Sequence, residues 1–111
     1  MDLEIASAHK GDACFVTLTG EVDVYTAPAL RERLVEEIEG GCPVVIIDMS
    51  GVDFIDSSGL GVLVSALKRV SEAGITMRIV CDSEPVLKIF RITGLDKVFD
   101  LVPSLDEAVE A

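Results

Sequence analysis

Two adjacent hydroxyl groups stand at a junction in the middle of the chain. Ser57 and Ser58 follow Asp56 and precede Gly59, where an apolar run ends and a helix-like pattern begins at Leu60. Serines in such a place could form a nucleophile, a phosphate-binding loop, a phosphorylation site or a helix cap. The neighbouring residues help to separate these four interpretations.

The two catalytic interpretations lack the partners that they need. A serine hydrolase needs a histidine base, but the junction has no Gly-x-Ser-x-Gly pattern and the single histidine, His9, falls in a predicted surface turn. A phosphate-binding loop needs Gly-Lys-Ser/Thr after its glycines, and none follows here. The carboxylates of Asp48, Asp53 and Asp56 lack the spacing of a calcium-binding loop. We therefore predict that the protein is not an enzyme and has no metal or cofactor.

Capping and phosphorylation both remain open from the residues alone. A helix cap contributes about 0.5–2 kcal/mol, but a cap does not explain why Gly59 and Gly61 follow so closely. Because glycine costs about 1 kcal/mol relative to alanine in a helix, its presence suggests that something approaches the backbone closely. A phosphate at a helix N-terminus is tolerated by the helix dipole, whereas beside Asp56 it would repel an acidic or apolar partner. A phosphate there would change binding with little internal rearrangement.

Size and charge limit the possible partners. The chain has 111 residues, half of them apolar, and a formal net charge of −11. One domain of this size can bury a core without cross-links. The negative charge disfavours nucleic acid and anionic membranes, so a basic protein surface or a small molecule is the expected partner. Since no signal peptide or membrane-spanning stretch is recognisable, we expect a soluble, cytoplasmic protein.

The cysteines favour a reducing compartment. Cys14, Cys42 and Cys81 are an odd number and have no Cys-x-x-Cys spacing. This usage argues against a disulfide framework and offers no zinc ligand set. We expect all three to be small apolar core residues.

Hydrophobic periodicity predicts alternating strands and helices. Ala27, Leu30, Leu34 and Ile38 recur at helical spacing after Thr26, a candidate N-cap. The non-alternating run 43–49 is typical of a strand that is buried on both faces. The predicted strands are 2–8, 13–22, 43–49, 76–81 and 97–102, and the predicted helices are 26–41, 60–74, 84–94 and 103–111.

This order predicts an α/β domain over residues 1–111. We expect a mixed, mostly parallel β-sheet of about five strands, with about four helices packed mainly on one face. Functional loops of such sheets lie at the carboxyl ends of strands, and segment 52–59 follows the predicted strand 43–49. A solvated, acidic face is expected on the first helix, from Glu32, Glu36, Glu37 and Glu39.

Three stretches of the chain together resemble the STAS-domain anti-sigma factor antagonists of bacteria. They are LTGEVDVYTAPALRERL, IIDMSGVDFIDSSGLGVLVSALKRV and LKIFRITGLDKVFDLV. The likeness covers nearly the whole chain, and its combination of motifs is specific although each piece alone is weak. The motifs are Gly20-Glu21-x-Asp23, Thr26-Ala27, Asp56-Ser57-Ser58-Gly59-Leu60-Gly61 and Thr93-Gly94-Leu95.

The resemblance implies a partner-switching protein that regulates transcription, as in stress responses or sporulation. In that family the unphosphorylated antagonist binds an anti-sigma factor that is also a serine kinase of the GHKL type, and this frees the sigma factor. The kinase then phosphorylates a serine of the antagonist and releases it, and a serine phosphatase resets the switch. The modified serine follows the signature Asp and maps onto Ser57, with Ser58 as second choice. No direct nucleic acid or membrane contact is implied, and the chain is expected to be a monomer or a weak dimer.

The resemblance also implies a partner-binding surface around this junction. Its expected members are Glu21, Asp23, Thr26, Ile55, Asp56, Ser57, Ser58, Gly59, Gly61 and Val62. Acidic side chains at 21 and 23 would suit a basic patch on the kinase. Thr26 is expected mainly as the helix cap, and Leu60 mainly as a core residue.

Two other functions are alternatives to partner switching. The alternative is a STAS scaffold or interaction module, such as a stressosome or lipid-transport accessory subunit, that no anti-sigma kinase switches. A small nucleotide-binding protein or hydrolase is disfavoured because the required motifs are missing, and the fold alone does not indicate such a function.

Overall fold

Five strands lie in the sheet in the order in which they occur along the chain. The computed structural model describes residues 2–110. β1 pairs antiparallel with β2, and all later neighbours pair parallel. The elements are β1 Leu3–Lys10, β2 Ala13–Val22, α1 Ala27–Glu39, β3 Val44–Ile55, α2 Ser57–Ala73, β4 Thr76–Val80, α3 Glu84–Ile92, β5 Leu101–Val102 and α4 Leu105–Glu110. The predicted mixed, mostly parallel α/β fold is confirmed.

Alternating side chains of the central strand divide the core into two layers. Val45 and Ile47 face a large cluster to which α1, α2 and α3 all contribute. Ile46 points to the other face, where it packs with Val80 and with Ala108 of α4. This two-sided burial explains why the strand is a continuous apolar run. The helices therefore lie mainly on one face, as predicted.

The predicted apolar stripe of α1 is confirmed. Ala27, Leu30, Leu34 and Ile38 are its buried residues. Leu60 on α2 is also buried, as expected for the first residue of its stripe. No helix within residues 2–110 is long and apolar enough to cross a membrane.

The third strand continues beyond its predicted end at residue 49. Thr17 of β2 pairs with Asp48 of β3, but the next pair is Thr19 with Gly51. The register therefore shifts by one residue between these two pairs. Asp48 is buried, and its Oδ1 accepts hydrogen bonds from the backbone N–H of Ser50 at 3.0 Å and from the Ser50 hydroxyl at 2.7 Å. These bonds accompany an irregularity that sequence periodicity does not reveal. Pairing then resumes, shifts once more between Gly20 and Glu21, and continues as far as Ile55.

The last predicted strand, 97–102, is mostly not a strand. Leu95–Lys97 forms a single 3₁₀ turn, and only Leu101–Val102 pairs with β4. The turn begins at Gly94, whose φ of 76° favours glycine. Phe99 is buried with its ring edge-on to Phe90 at 5.8 Å between centroids. Burial of this ring draws the segment into the core instead of along the sheet.

The prediction that the cysteines form no disulfide is wrong for two of the three, whereas the predicted burial of Cys14 is confirmed. Cys14 and Cys42 form a disulfide, whereas Cys81 is a free, buried thiol as expected. The pair forms because β2 and β3 begin side by side, with Ala13 opposite Val44. This register brings the Cα atoms of residues 14 and 42 to 6.2 Å although they are 28 positions apart. Spacing along the chain carries no signal of such a contact.

Candidate functional site

The candidate site lies where β2 and β3 end next to each other. Val22 pairs with Ile55, and the backbone N–H of Asp56 donates to the Val22 carbonyl at 3.1 Å. Asp23 and Asp56 therefore leave the sheet at the same edge. Because α2 begins at Ser57 and α1 begins at Ala27 after a short loop, both helix N-termini also lie at this edge.

Asp56, and neither serine, caps the second helix. Its backbone is extended, and its Oδ1 accepts from the N–H of Ser58 at 2.9 Å and from that of Gly59 at 3.1 Å. The helix therefore starts at Ser57, three residues before the predicted start at Leu60. Ser57 is exposed and Ser58 is half-buried. The cap does not depend on the hydroxyl of Ser57 or of Ser58.

The two glycines of this helix have different surroundings. A Cβ on Gly59 would lie 2.5 Å from Cγ1 of Val22 and 2.8 Å from Cγ1 of Ile55. The close approach inferred from sequence is therefore an approach of this chain's own core. Gly61 is exposed, and a Cβ there would meet nothing within 4 Å among the described residues. Internal packing requires a glycine at 59 but not at 61.

Asp23 organises the loop before α1. Its Oδ1 accepts from the backbone N–H of Tyr25 at 2.9 Å and from that of Thr26 at 3.0 Å. Its backbone carbonyl accepts from the N–H of Ala27 at 2.8 Å. Its Oδ2 is buried without a hydrogen-bond partner in the part of the chain that the structure describes. The carboxylate is thus an internal fastening of the loop.

Thr26 does not cap α1 with its side chain, contrary to expectation. It occupies the N-cap position but makes no side-chain cap bond. Its hydroxyl donates instead to the Glu21 carbonyl at 2.9 Å and accepts from the backbone N–H of Asp23 at 2.9 Å. The hydroxyl therefore bonds backward along the chain, to Glu21 and Asp23, and leaves the first turn of α1 without a side-chain cap.

Three residues expected at the partner surface are buried. Asp23 is 5% exposed and Ile55 is 3% exposed, so neither side chain is available to a partner without rearrangement. Gly59 is buried too, and Glu21 is half-buried. Asp23, Ile55 and Gly59 therefore support the surface from inside the protein, whereas the sequence predicted that they contact the partner.

Sequence reasoning missed the most exposed apolar side chains of the site. Val24 is 59% exposed and Tyr25 is 83% exposed, in the loop that Asp23 fastens. Phe54, opposite Glu21 in the register, is 45% exposed. The available signal was an apolar pair in a turn just before a helix, where polar residues are the norm.

A groove connects the two helix N-termini. It has a volume of about 280 Å³ and an apolar lining with one cation, Arg31. The other residues along it are Val24, Ala27, Pro28, Ser58 and Val62. Of the predicted site residues, the structure therefore brings Ser58 and Val62 together with the exposed loop of β2–α1. The arrangement can hold an apolar group between two helix N-termini.

Comparison with known proteins decides the family. Residues 4–108 match the STAS domain family. The anti-sigma-B factor antagonist of Bacillus subtilis (strain 168) is 38% identical over 110 residues, covering 99% of this chain and 100% of that protein. An anti-sigma factor antagonist from Mycobacterium paratuberculosis, known from a crystal structure, superposes with a TM-score of 0.92 at 28% identity, covering 98% of this chain and 92% of that one. The chain belongs to the STAS-domain anti-sigma factor antagonists.

A further likeness concerns the fold of this STAS antagonist. The Bacillus cell fate determinant SpoIIAA is 20% identical in its unphosphorylated form and 19% identical in its phosphorylated form. The TM-scores are 0.81 and 0.74, the two structures cover 96% of this chain, and this chain covers 94% and 97% of theirs. That antagonist thus has the same fold in both states.

We predict that the two glycines of the signature in this STAS antagonist respond oppositely to alanine. Gly59→Ala would force a methyl group against Val22 and Ile55 and should destabilise the protein by about 1–3 kcal/mol. Gly61→Ala meets open space and should be neutral or stabilising by up to about 1 kcal/mol, because alanine is the better helix former. Urea denaturation followed by circular dichroism measures both, and equal transition midpoints would contradict the packing argument.

Proposed function

We propose that this STAS antagonist binds an anti-sigma factor of the GHKL serine kinase type through the surface formed by the N-termini of α1 and α2. Binding of the unphosphorylated form frees the sigma factor for RNA polymerase. Phosphorylation of Ser57 ends the binding, and a serine phosphatase restores it. The antagonist acts in the cytoplasm, where the sigma factor and the polymerase meet. The name of a relative supports this proposal, since the Bacillus subtilis protein is an anti-sigma-B factor antagonist.

The observation that carries the proposal is the position of Ser57. It is the first residue of α2 and exposed, and the cap beside it is made by the carboxylate of Asp56. Its hydroxyl can therefore be modified without loss of a capping bond. Ser58 is half-buried along the groove, so a kinase would reach it less easily. SpoIIAA, whose structure is known in a phosphorylated form, supports modification of this fold.

The antagonist contributes only the acceptor to the chemistry. The Ser57 oxygen attacks the γ-phosphorus of ATP, the bond from that phosphorus to the β–γ bridging oxygen breaks, and ADP leaves. The hydroxyl proton passes to a base of the kinase, as in phosphoryl transfer generally. The exposed first turn of α2 presents the hydroxyl to the kinase without unfolding of the helix.

Electrostatics explains how the phosphate would release the partner without unfolding the antagonist. The phosphate adds about −1.5 to −2 charges at neutral pH, and the N-terminus of α2 stabilises negative charge. The same charge stands beside the Asp56 carboxylate on a chain of net charge −11. Burying it against a partner costs desolvation and repulsion. The switch is therefore in the interface and not in the fold.

The exposed loop supplies the apolar part of the interface. Tyrosine is enriched among residues that dominate binding energy, and Tyr25 lies at the same edge of the sheet as Ser57. Gly61, which no internal contact requires, leaves room for a partner's backbone above the first turn of α2. The matching kinase surface would have an apolar pocket with a basic rim, because charge complementarity assists encounter and specificity.

We predict that the anti-sigma kinase of the same organism, with Mg²⁺ and ATP, adds one phosphate to the antagonist. Ser57→Ala should abolish the addition, because it removes the exposed acceptor, whereas Ser58→Ala should be phosphorylated. Intact-mass analysis gives the stoichiometry, and fragmentation of the peptide gives the position. A phosphate on Ser58 in the wild type, or none with an active kinase, would contradict the assignment.

Charge, as distinct from size, should control binding at this position. Ser57→Asp is expected to weaken binding to the anti-sigma factor at least ~10-fold, in line with the cost of a desolvated charge at an interface. Asparagine has nearly the same shape as aspartate but carries no charge, so Ser57→Asn should bind the anti-sigma factor with nearly the affinity of the wild type. Isothermal titration calorimetry with the kinase measures the affinities. Equal losses in the two variants would show that bulk, and not charge, causes release.

Tyr25→Ala should lower the affinity for the anti-sigma factor by about 2 kcal/mol, the range of a dominant interface residue. Stability should change little because Tyr25 is 83% exposed. The matched control is Val109→Ala, since Val109 is 60% exposed on α4, across the sheet from α1 and α2. If both variants bind as the wild type does, the loop is not the interface.

Size-exclusion chromatography tests the alternative function. A very large homo-assembly would favour the scaffold function.

A further inference from the structure

Four potential metal ligands meet at the edge of the sheet opposite Ser57. His9 of β1 is the direct cross-strand partner of Cys14 of β2. Glu37 comes from the end of α1, and Cys42, in the loop before β3, is bonded to Cys14. The cluster is thus assembled from β1, β2, α1 and the α1–β3 loop, and the fold brings the pair His9 and Cys14 beside the distant pair Glu37 and Cys42.

The donor atoms are already close together. His9 Nε2 lies 2.8 Å from Glu37 Oε2. The donor atoms of His9, Cys14 and Glu37 all lie within 4.8 Å of one another. Cys42 adds its sulfur through the bond to Cys14. Three of these donor atoms need only small movements to surround a single ion.

We propose that reduction of the Cys14–Cys42 disulfide converts this cluster into a zinc site with His9, Cys14, Glu37 and Cys42 as ligands. The site is independent of the proposed partner switch, because Cys14 lies at the beginning of β2 and Ser57 follows the end of β3. Reduced chain holds zinc; oxidised chain holds the disulfide.

The ligand set matches zinc in number and type. Structural zinc is tetrahedral, with bonds of about 2.3 Å to sulfur and about 2.0–2.2 Å to histidine nitrogen or carboxylate oxygen. Donors around such an ion lie roughly 3–4 Å apart, and the donor atoms of His9, Cys14 and Glu37 already lie within 4.8 Å of one another. Cys42 would join them once reduction frees its sulfur. Calcium and magnesium prefer oxygen ligands throughout, so two thiolates and an imidazole select against them.

Glu37 is unusual among the acidic residues of α1. Its side chain is only 11% exposed, whereas Glu32, Glu36 and Glu39 are exposed. The predicted solvated face is therefore wrong at this position. A carboxylate so nearly buried needs a positive or hydrogen-bonding partner, and in the structure His9 is that partner. Zinc would satisfy it fully.

The cluster is also accessible. It opens into a pocket of about 240 Å³ whose other lining residues include Asp12, Gly40 and Gly41. His9 is 66% exposed, so its ring can turn without disturbing the core. An ion can therefore enter from solvent and complete its coordination by a rotation of this ring.

The conversion has two chemical steps, reduction of the disulfide and binding of zinc. A cellular thiol reductant supplies two electrons and two protons, the S–S bond breaks, and two thiols form while the reductant becomes a disulfide. Zinc then binds the two sulfurs as thiolates, and two protons are released. His9 through a ring nitrogen and Glu37 through a carboxylate oxygen complete the set. Exchange with a cellular disulfide reverses the sequence: that disulfide accepts two electrons and becomes two thiols, the S–S bond between Cys14 and Cys42 forms again, and the ion leaves.

The third cysteine is an internal control. Cys81 is buried at the end of β4, in the core between the sheet and the helices. Burial raises the pKa of its thiol, and a backbone hydrogen bond with Ser83 offsets this only in part. It therefore contributes little thiolate near neutral pH and lies outside the cluster.

The test titrates the untagged full chain with Co²⁺ and then Zn²⁺, after reduction with a phosphine and removal of oxygen. We expect one Co²⁺ per chain, with thiolate charge-transfer absorption and the intense d–d bands of a tetrahedral ion, and displacement by one Zn²⁺. The oxidised chain should give none of these signals. Absence of binding by the reduced chain, or equal binding by the oxidised chain, would overturn the proposal.

Matched variants identify the ligands. Glu37→Gln and His9→Ala should each weaken Zn²⁺ binding more than about 10-fold, since loss of even an outer-shell partner costs about 10–100-fold. Cys42→Ser should abolish the charge-transfer band or reduce it by about half. Glu36→Gln on the same helix and Cys81→Ser should bind as the wild type does. Circular dichroism checks folding, and undiminished affinity in both Glu37→Gln and His9→Ala would refute the four-ligand site.

Discussion

The parallel pairing of β2 with β3 positions both ends of this molecule. At the carboxyl ends, Val22 opposite Ile55 sends the two following loops to one edge, where Asp56 caps α2 and Asp23 stabilises the loop that leads to α1. At the amino ends, Ala13 opposite Val44 brings Cys14 beside the loop that carries Cys42. A change of register by one residue would turn each strand's buried side chains to the other face. The pairing shifts between Thr17 and Thr19 and again between Gly20 and Glu21, so each cluster of polar residues depends on the register at its own end of the strands.

The proposed partner surface depends on two aspartates with different tasks. Asp56 caps α2 and leaves the exposed Ser57 hydroxyl outside the cap, so the helix start and the proposed modification site share one turn without competing. Asp23 is buried and ties down the loop that exposes Val24 and Tyr25. Its unpartnered Oδ2 carries an energetic cost. The loop geometry is maintained because the other oxygen and the backbone make several bonds in return.

Much of the fold followed from periodicity and composition. The stripe Ala27, Leu30, Leu34 and Ile38 predicted one face of α1, and the apolar run of β3 predicted a strand buried on both faces. The extension of β3 to Ile55 and the loss of most of the last strand were not predicted. The first depends on the bonds between Asp48 and Ser50, and the second on the burial of Phe99 against Phe90. Neither interaction leaves a periodic signal in the sequence.

By itself, the sequence determined the STAS family, the α/β order of elements and the signature Asp56-Ser57-Ser58-Gly59, because these depend on residue types at short range. Only the tertiary structure decided that Ile55 and Asp23 are internal, that Gly59 is required by packing and Gly61 is not, and that Tyr25 is exposed. It also brought together His9, Cys14, Glu37 and Cys42, whose spacing suggested no site. The physical reason is the same in each case: burial and contact are set by which strands pair and in what register, and that is a property of residues far apart in the chain.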